Sequence, residues 1–244
     1  MPRIGAGDDL GALILAACAR EQRPLAPGDV VVIAQKIVSK SEGRMVRLAE
    51  ITPAEPAREL AARTGKDPRL VELILRESTR LLRVGREVLI VEHRSGFVLA
   101  NAGIDQSNVD AAQGSAALLL PLDCNASAAQ IRARLEAGAG FAPGVLIIDS
   151  IGRAWRRGTV GQTLGACGVP VVVDLRGRTD LNGRPLRASD LAHADELAAA
   201  ASILMGQADE SRPVVIIRGL AIAPERQPQT AVALQRAVAE DLFR

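Results

Sequence analysis

Aromatic side chains are almost missing from this chain: of 244 residues, one is Trp, three are Phe and none is Tyr. With so few flat rings, nucleic-acid recognition by base stacking is a poor candidate activity. A surplus of one charge is missing too. The 30 basic and 28 acidic residues leave a net charge of +2, which gives no electrostatic case for a nucleic-acid or membrane partner. The three cysteines, Cys18, Cys124 and Cys167, are far apart and lack metal-ligand spacing, so they read as reduced cytosolic thiols. Only two histidines occur, His93 and His193, and neither has a partner at zinc spacing. That argues against a zinc centre or a histidine-based triad. His93 reads as a hairpin-turn residue and His193 as a helix-surface residue. No apolar run approaches the length that spans a bilayer, and "MPRIGAGDDL" carries no signal pattern, so the expected location is the cytoplasm.

Two phosphate-binding signatures are absent as well. The pattern G-x-x-x-x-G-K-[ST] occurs nowhere. "GAGDDLG" fails as a dinucleotide loop because no strand precedes it and Leu10 stands where the third glycine belongs. The fold expected is therefore neither a P-loop nor a Rossmann fold.

What remains is the composition of a globular protein, with 48% apolar and 24% charged residues. The length suits one large domain or two small ones. "GDDLGALILAACAREQ" predicts an amphipathic helix capped by Asp8 or Asp9. "PGDVVVIAQKIVSKSEGR" predicts a buried strand followed by a polar loop from Gln35. Helical patterns cover residues 53–63 and 68–80, and "EVLIVEHRSGFVLA" predicts a hairpin turning at residues 93–96. A helix follows with Ser127 and Gln130 as a capping box. "PGVLIIDS", "VPVVVDLRG" and "RPVVIIRGL" predict strands, "DLAHADELAAAASILMG" a long helix stopped by Gly206, and a terminal helix closes the chain. Strands interleaved with helices imply a mixed α/β (α+β) fold. We expect one catalytic unit over residues 1–244, with room for two interleaved subdomains whose boundaries the sequence leaves unmarked.

Four segments end an apolar run abruptly in polar residues: "AQKIVSK", "NAGIDQSN", "IIDSIGRAWRRG" and "MGQADESR". Loops at strand ends are where α/β proteins place ligands. Asp105 and Asp149 offer hard carboxylate oxygens, and Ser150 and Gln207 add neutral ones, a set suited to Mg²⁺ or Mn²⁺ rather than zinc. Gln35, Lys36, Lys40, Arg153, Arg156 and Arg157 offer donors to phosphate or carboxylate oxygens. Singly, each has a bland explanation. A strand-end Asp is most often a turn former or a cap, the reading preferred for Asp174 and Asp123. Together the four segments favour a metal–polyphosphate site.

These blocks, with "LLPLD", "GRTDLNGRPL" and the combination of "SKSEGR" with "NAGIDQSNV", resemble the coenzyme F-420:L-glutamate ligases, also called F-420-0 γ-glutamyl ligases. The likeness runs through nearly the whole chain in the family's order. It implies a GDP-forming, GTP-dependent amide ligase that joins L-glutamate to the deazaflavin precursor F-420-0 and then adds γ-linked glutamates, in a homodimer. It also implies two divalent cations (Mg²⁺ or Mn²⁺), with K⁺ a further candidate ion. By the family pattern Asp105 and Asp149 hold one cation, and Ser150 and Gln207 contribute to a second. Asp105, Asp149 and Lys40 are then the expected catalytic residues. Gln35, Lys36, Lys40, Asn108 and the run Met205, Gly206, Gln207, Ala208, Asp209, Glu210, Ser211 and Arg212 match nucleotide-contacting positions, with Met1 to Ile4 beside them. Asp123-Cys124-Asn125 replaces the family's usual Asp-Pro-Asp. The competing readings are another metal-dependent nucleotide hydrolase or phosphotransferase, and a non-catalytic nucleotide- or deazaflavin-binding protein.

Overall fold

Runs such as "VVVIA" and "GVLII" are apolar at consecutive positions, so strands made from them need cover on both faces. The computed structural model of the chain supplies that cover; it describes residues 1–106, 115–220 and 227–242. The first half holds helix α1 (Leu10–Arg20), strand β1 (Val30–Ala34), helix α2 (Gln35–Ser41), strand β2 (Met45–Arg47), helices α3 (Glu55–Thr64) and α4 (Pro68–Arg76), and strands β3 (Ser78–Gly85), β4 (Val88–His93), β5 (Val98–Ala100) and β6 (Ala116–Leu118). Then come helix α5 (Cys124–Ala139), strands β7 (Gly144–Gly152), β8 (Thr159–Cys167), β9 (Val173–Asp174) and β10 (Asp190–Leu191), helix α6 (His193–Met205) and strand β11 (Val214–Ile217).

The main sheet runs β11-β1-β7-β8, with β1 and β7 parallel and the other pairings antiparallel. Alternate side chains serve alternate faces. Val31, Ile33, Val145 and Ile147 pack with Leu10 and Ile14 of α1 and Ile131 and Leu135 of α5. Val30, Val32, Leu146 and Ile148 pack with Ala194, Leu197 and Ala201 of α6. Glycines let both helix layers come close to β8. A Cβ at Gly161 would strike the Ala198 backbone, and one at Gly165 would strike that of Cys124. A register shift between these two glycines turns the strand from one face to the other.

A second core lies beside the first. Its helices are α3 and α4, whose Leu60, Leu70, Leu73 and Ile74 pack on Leu89 and Val91 of the β3-β4-β5 sheet. The cores are tied by Glu77, which accepts from Arg44 Nη2 and Arg94 Nη2, each at 2.8 Å. The β2-β6 pair lies between, and Arg44 Nε donates to the Leu120 carbonyl at 2.9 Å.

The mixed α/β class with interleaved elements agrees with the expectation, but several local expectations fail. The polar loop from Gln35 is helix α2, because Ile37 and Val38 supply buried anchors between the lysines. The second helical pattern ends at Arg76, and "STRLLRVG" continues as strand β3. Helix α5 starts three residues before Ser127, capped by Asp123, so Ser127 sits inside it and no capping box forms. In "VPVVVDLRG" only Val173–Asp174 is strand, and the expected terminal helix is replaced, among the described residues, by short 3₁₀ turns at Ala231–Leu234 and Val238–Glu240. His93 lies at its hairpin as expected, where it is buried.

Candidate active site

Strand β5 leaves the second core through three consecutive left-handed residues, Asn101, Ala102 and Gly103, at φ +52°, +55° and +66°. Asparagine tolerates this region, glycine is at home in it, and alanine is strained there by about 1 kcal/mol. Packing enforces the bend. Asn101 Oδ1 accepts the Leu89 amide at 3.0 Å, Ala102 is fully buried, and Gly103 lies against the Leu120 side chain. Asp105 follows, held by both backbone groups: its N–H donates to Leu118 at 3.0 Å and its carbonyl accepts from Leu118 at 2.8 Å. That anchorage aims its Oδ2 at Lys36 Nζ, 2.6 Å away. Asn108 lies outside the described residues.

Helix α2 grows directly from the end of β1. Lys36 and Lys40 are one turn apart and share a face. Gln35 and Ser39 share another and are buried, with the Ser39 hydroxyl donating to Gln35 Oε1 at 2.8 Å. Across from α2, β7 carries Asp149, which is half-buried and accepts the Ser150 amide at 2.8 Å. Loss of hydration pushes the Asp149 carboxyl up to about 6, and the charge of Asp105 adds to the rise. The Ser150 amide, Lys36 and Gln35 pull the other way.

Gln35, Lys36, Asp149 and Ser150 form a wall shared by two neighbouring cavities. The first, about 440 Å³, adds Lys40, Met1 to Ile4, and Met205, Gly206, Gln207, Ala208, Asp209, Ser211 and Arg212. Glu210 does not line it. Its carboxylate turns back to accept the Ala208 amide at 2.9 Å and packs on Gly206, so it shapes the loop instead. The second cavity, about 680 Å³, adds Asp105 and Arg153 and an apolar side made of Ile90, Leu99 and Ile104. Arg156 and Arg157 are exposed and line neither cavity.

The oxygen donors named from sequence thus fall into two overlapping sets. Asp105, Asp149 and Ser150 meet on the second cavity, and Asp149, Ser150 and Gln207 on the first. Among the described residues no group of three or more His, Cys, Asp or Glu side chains could hold a metal. Two carboxylates supplemented by neutral oxygens fit a hard divalent ion that keeps water or phosphate oxygens in its shell. Such an ion would offset both the lost hydration that raises Asp149 and the smaller push from the Asp105 charge.

Sequence reasoning missed the apolar side of the second cavity, which Ile90, Leu99 and Ile104 supply. The substitution at Asp123-Cys124-Asn125 proves structural. Asp123 caps α5 by accepting from the Asn125 and Ala126 amides, as its bland reading held. Cys124 is the first helical residue, a position proline favours, and burial pushes its thiol up to about 12. Asn125 Oδ1 accepts from Ala166 and Ala231. None of the three lines either cavity.

A family model described as F420-0:Gamma-glutamyl ligase matches residues 1–219. Among similar proteins, the coenzyme F420:L-glutamate ligase of Methanothermobacter thermautotrophicus is 47% identical over 244 residues, covering 100% of this chain and 96% of its own. That of Methanopyrus kandleri is 47% identical, covering 99% of this chain and 94% of its own. That of Halobacterium salinarum is 42% identical over 224 residues, covering 89% and 83%.

Proposed function

The chain belongs to the F420-0:gamma-glutamyl ligase family, and on that premise we propose that it joins L-glutamate to the deazaflavin precursor F-420-0 at the expense of GTP, through an acyl phosphate. The observation that carries this reading is the shared wall of Gln35, Lys36, Asp149 and Ser150 between two cavities of different character. The first is rich in backbone and cationic donors from Lys40 and residues 205–213, as a nucleotide polyphosphate needs. The second pairs an apolar side with Asp105 and Arg153, as a ring-bearing acid acceptor needs.

A carboxylate is a poor electrophile toward an amine. In the proposed reaction an oxygen of the precursor's carboxylate attacks the γ-phosphorus of GTP, and GDP leaves with the bridging oxygen. The glutamate nitrogen then attacks the acyl carbon, inorganic phosphate departs, and the nitrogen loses a proton to leave an amide. Catalysis of such a transfer rests on positioning and charge neutralisation. Lys36 and Lys40, on one face of α2, draw the transferring phosphoryl group toward the wall where the cavities meet. Arg153 orients the acceptor carboxylate from the far side. Mg²⁺ or Mn²⁺ held by Asp105, Asp149, Ser150 and Gln207 would neutralise phosphate charge there.

Incubation with F-420-0, glutamate and either GTP or ATP, with product masses read out, tests the proposal. The expected result is a mass gain of one or more glutamyl units that requires all three substrates. Phosphate released at full rate without the deazaflavin would overturn it in favour of a nucleotide hydrolase.

A further inference from the structure

The turn between β7 and β8 runs from Arg153 to Gly158, beyond the last strand pair, Gly152 with Thr159. Arg153 clips it. Its Nη1 donates to the Gly158 carbonyl at 3.3 Å, and its own carbonyl accepts the Arg156 amide at 3.4 Å. Gly152, Arg153 and Ala154 before the turn's tip and Thr159 after it line the second cavity. Residues 155–158 do not, so the tip stands at the cavity's edge. Trp155 sits there, 88% exposed. Its backbone is left-handed, at φ +64°, a conformation that a bulky L-residue adopts only at a cost.

Both features call for a reason. Trp155 is the chain's single Trp, and Phe97 and Phe141 are packed against the core. The largest ring in the molecule is thus held in water, where its apolar surface is unfavourable. Strained residues of this kind cluster at segments that clamp ligands. The cavity says what shape of ligand fits. Its apolar side, Ile90, Leu99 and Ile104, can cover one face of a flat ring and leaves the other face open. An indole at the edge can cover that second face, because ring pairs favour offset stacking. We propose that Trp155 is a substrate-binding residue that stacks on the fused ring of the acceptor and holds it against the apolar side of the second cavity. The proposal rests on the reading of that cavity as the acceptor site, and adds the residue that grips the ring.

The test uses the full-length protein with Mg²⁺ and GDP present, so that no turnover occurs, and F-420-0 as the probe. Calorimetry measures binding, and hydroxyl-radical footprinting with mass spectrometry reads oxidation of the indole. Saturating F-420-0 is expected to slow Trp155 oxidation, and GDP alone to leave it unchanged. In Trp155→Ala the KM and dissociation constant for F-420-0 are expected to rise at least about fivefold, the low end of what ring stacking contributes. The kcat and the KM for GTP should stay near wild type, a split that a merely structural role would not give. Trp155→Phe keeps a ring and is expected to recover most of the affinity. F-420-0 binding that leaves Trp155 unprotected would overturn this proposal alone, as would wild-type affinity in Trp155→Ala. So would protection that grows with protein concentration in the absence of F-420-0, because a second copy of the chain would then be what covers the indole. If calorimetry finds no binding of F-420-0 to the wild type, the acceptor reading of the cavity falls and takes this proposal with it.

Discussion

Asp105, paired with Lys36, lines one cavity with Asp149, and each acid is anchored by backbone groups. Removing the Asp105 carboxylate should therefore cost turnover rather than folding. Asp105→Ala is expected to lose at least about a thousandfold in ligation rate while its circular dichroism and melting temperature stay near wild type, because Leu118 pairs with the backbone and not the side chain. Wild-type rates would rule out the two-carboxylate site. Asp149 carries the opposite stability sign. Its carboxyl is raised to about 6 by burial, above an ordinary value of 3.8, so in the metal-free protein it contributes stability below that ordinary value and loses it as pH rises through 6. Asp149→Asn should thus melt higher than wild type at pH 7 without metal, with the gap closing toward pH 4, and should be inactive. A thermal series across pH 4 to 8 reads this directly. Next to Asp105, Gly103 combines φ +66° with Leu120 at 2.9 Å from any added Cβ. Gly103→Ala is expected to cost about 1–3 kcal/mol by urea unfolding.

Helix α2 shows why elements differ in legibility. Its seven residues make two turns, too few for a periodic pattern, and its polar residues hide Ile37 and Val38. Alone it would not be helical; packing on β1 and β7 makes it so. Strand β3 was hidden for a related reason, since "STRLLRVG" carries arginines and leucines out of alternation and is shifted in register against β4. The long apolar strands and Ala-rich α6 were legible because burial on both sheet faces leaves consecutive apolar runs. Helix α5 was legible in its body but not at its start, where two plausible caps compete and Asp123 wins by accepting two amides. Asp123→Ala should lower stability by about 1 kcal/mol in urea and leave ligation unchanged, because the cap lines neither cavity. A loss of activity beyond that stability change would make this turn part of the substrate site after all.

At the scale of the whole molecule, the candidate site lies where two cores meet. Lys36 lies on α2, which packs on the main sheet, and Asp149 on β7 within it, whereas the loop that carries Asp105 leaves the second core at Ala102. Sequence patterns could name these residues but not bring them together, because the pairing of Asp105 with Leu118 and the tie between cores are both long-range. That tie centres on Glu77, whose side chain is 7% exposed and bonds Arg44 from one side and Arg94 from the other. Burial pushes the Glu77 carboxyl up, but His93 and the two guanidiniums together hold it below its ordinary value of 4.5. A depressed carboxylate contributes stability above its unfolded value and loses it as pH falls through the folded one. Glu77→Gln leaves two guanidiniums without their anion, one of them largely buried, and should cost about 3 kcal/mol at pH 7. The deficit should shrink below pH 4.5, where wild type loses the same charge. Because the cores would shift as bodies, turnover at a temperature where the variant is still folded should fall as well, with Mn²⁺ binding weakened in parallel. If stability drops while turnover and Mn²⁺ affinity both hold, the tie between the cores does not set the distance between Asp105 and Lys36.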